Sequence, residues 1–261
     1  MKIREIIGAL EQFAPLSLQD SYDNAGLQIG LTVDAESSGV LLCLDVTEDV
    51  IDEASEKGCD LIVSHHPLIF HAPRRLVGED YVQRCIIKAI QKGVNIYSSH
   101  TNLDNAPGGV NWKIASRLGL KSVKPLSPKA EMEGAGSGVI GIMSSPMERE
   151  DFIALIKEGF DAASVRLNSW TGEQVRTVAI CGGAGAFLIP DAISQGADVF
   201  MTGEIGYHRF FGYEDQIQLM EIGHYESEQY TTELLHEIIG NKFPGLRILH
   251  TEVETNPICY C

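Results

Sequence analysis

No stretch of this 261-residue chain approaches the ~18–20 consecutive apolar residues that a membrane-spanning helix needs. Basic residues are scarce: 20 Lys and Arg stand against 36 Asp and Glu, a formal net charge of −16. Such a balance repels nucleic-acid backbones and anionic membranes at long range, which argues against a general nucleic-acid or membrane binder. A small anionic substrate remains compatible, because one metal ion or a local arginine pair outweighs a diffuse field. No CxxC pair occurs among Cys43, Cys59, Cys85, Cys181, Cys259 and Cys261. The first four lie in apolar surroundings, and the pattern fits reduced thiols in a cytosolic protein rather than a disulfide scaffold. The opening "MKIREIIGALEQFAP" interrupts its apolar residues with Arg4, Glu5 and Glu11. It reads as an amphipathic helix rather than a secretory signal, so a cytoplasmic location is expected.

What the chain does have is an alternation of strand-like and helix-like segments. "GVLLCLD" and "CDLIVS" read as strands around a helix "EDVIDEASEK", capped by Thr47 and ended by Gly58. The helix "YVQRCIIKAIQK", stopped by Gly93, and the strand "VNIYSS" follow. This pattern predicts an α/β fold with mixed, largely parallel sheets packed by helices. "KSVKPLSPKAEMEGAGSG" (121–138) lacks any period and reads as a linker or exposed loop. Two lobes are expected, 1–125 and 126–261. In the second, alternation resumes through "REDFIALIKEGF", "VRTVAIC", a helix from about Phe187, "ADVFMTG", "QLMEIG", a helix over 227–239 and "LRILHTE".

The lobes overlay at a fixed offset. Cys43 maps to Cys181, Gly58 to Gly196, Asp60 to Asp198 and Ser64 to Thr202, each 138 positions apart. "HTNLD" (100–104) lies on "HYESE" (224–228) at an offset of 124. A weak internal repeat predicts two similar α/β lobes with a cleft between equivalent strand ends, where ligands of such sheets bind.

The polar clusters at those strand ends carry the candidate chemistry. "LIVSHHPLIF" (61–70) is an oily run that stops at His65 and His66, with Pro67 fixing the chain behind them. Side chains of neighbours in a continuing strand point to opposite faces, so the pair converges only if the chain turns there. Asp104 joins from "SSHTNLDNAPGGVN", and His224 and Glu228 from "EIGHYESE", where helix onset puts positions i and i+4 on one face. Imidazoles with carboxylates suit Zn, Fe, Mn, Co or Ni. Three histidines and two carboxylates suggest two divalent ions, with Glu228, the longer arm, as the bridge. His100 competes in its segment as a ligand or as an orienting partner for Asp104. Arg74 and Arg75 in "PRRL" offer an anion-binding pair. His71, His208, His236 and His250 read as surface or packing residues. "CGGAGAF" (181–187) lacks the third glycine of a dinucleotide fingerprint and the lysine of a P-loop, so it reads as a tight strand-to-helix turn.

The ordered set "YDNAGLQIG", "SHHP", "SSHTNLDNAPGGVN", "ADVFMTGEIGYH", "GHYESE" and "TNPI" resembles the GTP cyclohydrolase 1 type 2 homologues, also called the NGG-one-interacting-factor-three-like family. The resemblance spans nearly the whole chain. It implies a two-lobed α/β fold assembled as a toroidal homohexamer, with a dinuclear metal centre on His65, His66, Asp104, His224 and Glu228. The short 121–138 segment leaves no room for the middle domain some members insert. Tyr22 stands where tryptophan is common, and Ser64 where Thr or Cys is frequent; neither change removes a ligand. The expected activity is a metal-dependent hydrolase acting on a nucleotide-like small molecule, with His100 as proton donor and Glu226 behind it as catalytic residues, and Arg74 or Arg75 on phosphate oxygens. A phosphoester hydrolase and a non-catalytic metal-binding scaffold or regulatory partner are the alternatives.

Overall fold

A computed structural model describes residues 1–261, in which nine α-helices and eleven strands alternate. The order begins α1 (Ile3–Phe13), β1 (Gly26–Ile29), β2 (Val40–Cys43), α2 (Glu48–Glu56), β3 (Leu61–Ser64), α3 (Tyr81–Lys92), β4 (Asn95–Ser98), α4 (Thr101–Asn105). Next come α5 (Val110–Arg117), β5 (Lys121–Pro128), β6 (Gly136–Glu148), α6 (Arg149–Gly159), β7 (Arg166–Leu167) and β8 (Gln174–Cys181). The chain closes with α7 (Ile189–Ser194), β9 (Val199–Thr202), β10 (Gln218–Glu221), α8 (His224–Glu228), α9 (Thr231–Lys242) and β11 (Ile248–His250). No helix is long and apolar enough to cross a membrane.

Two compact units share the chain. The first comprises Met1–Leu103 and Thr231–Pro257, the second Asp104–Tyr230 and Ile258–Cys261. This division differs from the expected 1–125 and 126–261, because the chain after residue 230 returns to the first unit. There β11 pairs parallel with β2, and α9 packs on α1.

In the first unit the sheet order is β1-β4-β3-β2-β11, all parallel except β1. Every residue of β2, β3 and β4 is buried, as expected of parallel strands covered on both faces. Local chemistry sets the helices between them. Thr47 Oγ1 accepts from Val50 N at 3.2 Å to open α2, Asp80 accepts from Gln83 N at 2.8 Å to open α3, and Gly93 ends α3 in the left-handed region.

His236 of α9 and His250 of β11 stack with ring centroids 5.1 Å apart and bond Nδ1 to Nε2 at 2.9 Å. Burial, and then the charge of His236, push His250 below the usual imidazole range, with Glu233 opposing. Folded His250 therefore refuses a proton that it accepts in the unfolded chain, so stability falls as pH drops below about 6.5. We expect the wild-type melting temperature to fall more steeply between pH 7 and pH 5 than that of His250→Gln. Parallel curves would contradict this.

The second unit has sheet order β5-β6-β8-β9-β10-β7, with β8, β9 and β10 parallel and the remaining pairs antiparallel. The ladders reproduce the sequence repeat. In the first unit Val40 pairs with Leu61 and Cys43 with Ser64; in the second Val178 pairs with Val199 and Cys181 with Thr202. Each strand pair thus keeps one register under the offset of 138.

Three expectations need correction. The segment 121–138 is not a linker: β5 and the start of β6 form an antiparallel pair, with Pro125 opposite Val139 and Pro128 opposite Gly136. β5 is an edge strand, where a proline's missing N–H is tolerated. The helix expected over 227–239 is two, α8 and α9, broken at Gln229 and Tyr230. The helix expected from Phe187 begins as a 3-10 turn, Ala186–Leu188, before α7.

Candidate metal centre

At the end of β3 the chain does turn. His65 and His66 leave the strand in a bend, and their rings sit 4.9 Å apart at 44°. Ser64 Oγ donates to the His66 carbonyl at 2.8 Å, tightening that bend. His100, just beyond β4, brings its ring within 5.3 Å of His65 and 5.5 Å of His66. Ring nitrogens of all three histidines lie within 4.8 Å of one another, a group able to hold a metal ion.

What fixes these rings decides what they can do. His65 Nδ1 lies 2.8 Å from the Ser99 carbonyl oxygen, His66 Nδ1 2.7 Å from Asp45 Oδ1, and His100 Nδ1 2.7 Å from Asp23 Oδ1. A carbonyl or carboxylate oxygen accepts only, so each Nδ1 donates in these bonds and Nε2 is the nitrogen left to meet a metal. Asp23 is enclosed. Burial alone would raise its carboxyl, but bonds from His100, Thr101 and Asn24 outweigh burial and hold it below the usual carboxylate range.

The second unit repeats the device. His224 Nδ1 lies 2.8 Å from Glu204 Oε1, while His224 Nε2 faces Glu228 Oε2 at 3.0 Å across one turn of α8. With Nδ1–H turned to Glu204, a lone pair and a carboxylate oxygen confront each other. That arrangement needs a shared proton or cation. Asp104 offers a carboxylate oxygen within 4.8 Å of one on Glu228, which is almost fully buried. Asn111 fixes Asp104 from behind, donating to its carbonyl at 3.1 Å while accepting from Gly182 N at 2.9 Å.

The glycine turn after β8 is part of this arrangement. Gly183 N donates to Ser227 Oγ at 3.0 Å, and Gly183 O accepts from Thr202 Oγ1, Gly203 N and Glu204 N at 2.8–3.0 Å. Gly183 has φ +60°, and a Cβ there would stand 2.5 Å from Glu228 Oε1 and 3.2 Å from His224 Nε2. Only glycine lets the backbone pass this close to both donors.

The remaining candidates are placed as follows. Glu226 is buried in α8, and Tyr260 hydrogen-bonds its carboxylate. Arg74 and Arg75 lie on the exposed loop before α3, where Arg75 forms a two-pronged pair with Glu79 at 2.9 and 3.2 Å. The four expected core thiols are buried, and Cys85 is pushed up to about 11 by burial. Asp23, Asp45 and Glu204 were not singled out from sequence. Each lies 20–77 residues from the histidine it holds. The donor chemistry fits a bound metal: imidazoles with Nδ1 tied to oxygen, and carboxylates beside them.

The model of the Duf34/NIF3 (NGG1p interacting factor 3) family matches residues 1–257. The chain belongs to the DUF34/NIF3 family. Among its relatives, a Clostridium acetobutylicum protein named GTP cyclohydrolase 1 type 2 homolog is 33% identical over 233 residues, covering 87% of this chain and 85% of that one. A Streptococcus pneumoniae protein of the same name is 32% identical, covering 98% of each chain. Among solved structures, Staphylococcus aureus protein SA1388 superposes with TM-score 0.90 at 31% identity, covering 100% of this chain and 99% of that one. A Bacillus cereus protein related to NIF3 has the same fold, with TM-score 0.89 at 24% identity and coverage of 100% and 99%.

Proposed function

We propose that this DUF34/NIF3 member is a metal-dependent hydrolase of the GTP cyclohydrolase 1 type 2 kind, acting on a nucleotide-like substrate. In this reading His65, His66, Asp104, His224 and Glu228 would hold two divalent ions. The observation that supports it is the common anchoring of the histidines: each Nδ1 is tied to an oxygen acceptor, which presents Nε2 as a ligand. Relatives bearing the cyclohydrolase name support the substrate class.

A dinuclear centre bound there would supply Lewis acidity and lower the pKa of water toward neutrality. The chain's own residues must then manage the proton. Hydrolytic opening of a purine imidazole ring takes one water at the carbon between two nitrogens, release of that carbon as formate takes a second, and the two nitrogens it joined take up the protons. His100 is the proton donor in this reading, its ring oriented by the 2.7 Å bond from Nδ1 to Asp23. Glu226 is the reserve acid. Arg74 holds phosphate oxygens more readily than Arg75, which Glu79 engages. The active form is a homohexamer in the cytoplasm, as the family resemblance implies.

The test is turnover of GTP by metal-reconstituted protein, followed as formate release. Glu228→Gln should abolish turnover while leaving the circular dichroism spectrum intact, and His100→Asn should lower kcat by about 10²–10⁴-fold. A fully metallated protein that hydrolyses no nucleotide would remove the cyclohydrolase reading and leave the scaffold.

A further inference from the structure

Two aromatic rings of the first unit stand in solvent beside the histidine cluster. Tyr22 is 62% exposed and Phe70 38%, whereas Tyr97 of the same unit is fully buried. Both belong to the segments that build the cluster. Tyr22 directly precedes Asp23, the carboxylate that fixes His100, and Phe70 follows His66 by four positions. Their ring centroids lie 6.4 Å apart at 50°, forming an open corner. Phe70 also meets His100 edge-on, at 6.2 Å and 82°. One ring contact therefore joins the corner to His100, the proposed proton donor.

The corner is braced. Asn24 Nδ2 donates to the Ile69 carbonyl at 2.6 Å, Ile69 N donates to Gln28 Oε1 at 3.1 Å, and Gln28 Nε2 donates to the Asn24 carbonyl at 2.6 Å. These bonds tie the Tyr22 segment to the Phe70 segment on both sides. Asp20 N donates to Thr101 Oγ1 at 2.9 Å and holds the start of the same loop next to His100. Folding ordinarily gains by burying aromatic rings. Here a bonded framework holds two of them in water instead.

We propose that Tyr22 and Phe70 form the recognition corner for a planar, nitrogen-rich heteroaromatic ring, the base end of the substrate. The inference rests on the proposed hydrolase reading for what happens to that ring, but not for its binding. Tilted aromatic pairs accept a third ring by offset stacking on one member and edge contact with the other. The neighbouring polar groups are acceptors and amides, Asp20 and Asn24, with Tyr22 Oη donating to Asp20 Oδ2 at 3.3 Å. Acidic neighbours suit ring N–H and amino donors and repel phosphate. Phosphate is then left to the exposed loop that carries Arg74, four residues beyond Phe70.

The corner makes Tyr22 and Phe70 specificity residues, so the test separates base from phosphate. GTP, flavin mononucleotide and inorganic tripolyphosphate are titrated by calorimetry into wild type, Tyr22→Ala, Phe70→Ala, Phe70→Leu, Tyr22→Phe and Phe70→Tyr. Phe211→Ala, which removes an exposed ring of the second unit, is the control. Loss of one stacking partner should weaken GTP or flavin binding about 5- to 150-fold, the range measured for base stacking on aromatics. The Tyr22→Phe and Phe70→Tyr variants should recover most of it. Tripolyphosphate affinity and metal content should be unchanged throughout. Phe70→Leu keeps apolar bulk, so it stays informative if Phe70→Ala misfolds.

Equal GTP affinity in all variants, a matching loss for tripolyphosphate, or no binding of either heteroaromatic probe by wild type would each overturn the corner. So would dissociation of an oligomer in Tyr22→Ala without change in ligand affinity, which would make the corner a contact between copies. Ring-dependent binding without turnover would sustain the corner and sink the hydrolase reading instead.

Discussion

A chelator is expected to lower the thermal stability of wild type strongly and that of His65→Ala far less. A metal that binds the folded chain stabilises it by RT ln(1 + [L]/Kd), about 2.7 kcal/mol when present at 100 times Kd. For a chain of this size, stripping one such ion should lower the melting temperature by about 5–10 °C. His65 is fully buried, with Nδ1 committed to the Ser99 carbonyl, so its ring is held in one orientation for a ligand. The variant should start closer to chelated wild type and respond less to further chelator. A chelator shift of equal size in both proteins would show that His65 is not a ligand.

Gly183→Ala is expected to weaken metal binding at least tenfold without unfolding the protein. Its φ of +60° strains any L side chain, and the added methyl would stand 2.5 Å from Glu228 Oε1. Glu228 is buried and cannot swing clear into water. Its carboxylate and the facing His224 Nε2 must therefore shift, and displacing a ligand's supports typically costs 10–100-fold in affinity. The check is competition with a metal-chelating dye, with Gly206→Ala as control because a Cβ there meets nothing within 4 Å. Equal affinity in the two variants would mean that the glycine turn does not shape the donors.

The sequence carried the fold where chemistry is local. Thr47, Asp80 and Gly93 announce the helices they cap, and the matched cysteines and Ser64/Thr202 mark strand registers that the two sheets share. It misled where meaning depends on what lies alongside. The prolines of 121–128 look like a linker until β6 supplies a partner, and nothing before residue 231 announces that α9 and β11 return to the first sheet. The same divide runs through the candidate site. His65, His66, His224 and Glu228 stand in motifs whose spacing is informative by itself. Asp23, Asp45 and Glu204, which set which nitrogen of each ring is offered, are contributed from distant segments. "CGGAGAF" was legible as a turn; that its second glycine makes room for Glu228 emerges only in three dimensions.

The most direct test of the account is metal content per chain, measured by elemental analysis of untagged protein purified without chelator. The account predicts about two ions per chain, falling sharply in the His65→Ala/Glu228→Ala double variant. Fewer than about half an ion per chain after reconstitution would contradict it, and the histidine pair of "SHHP" would then serve some purpose other than metal binding.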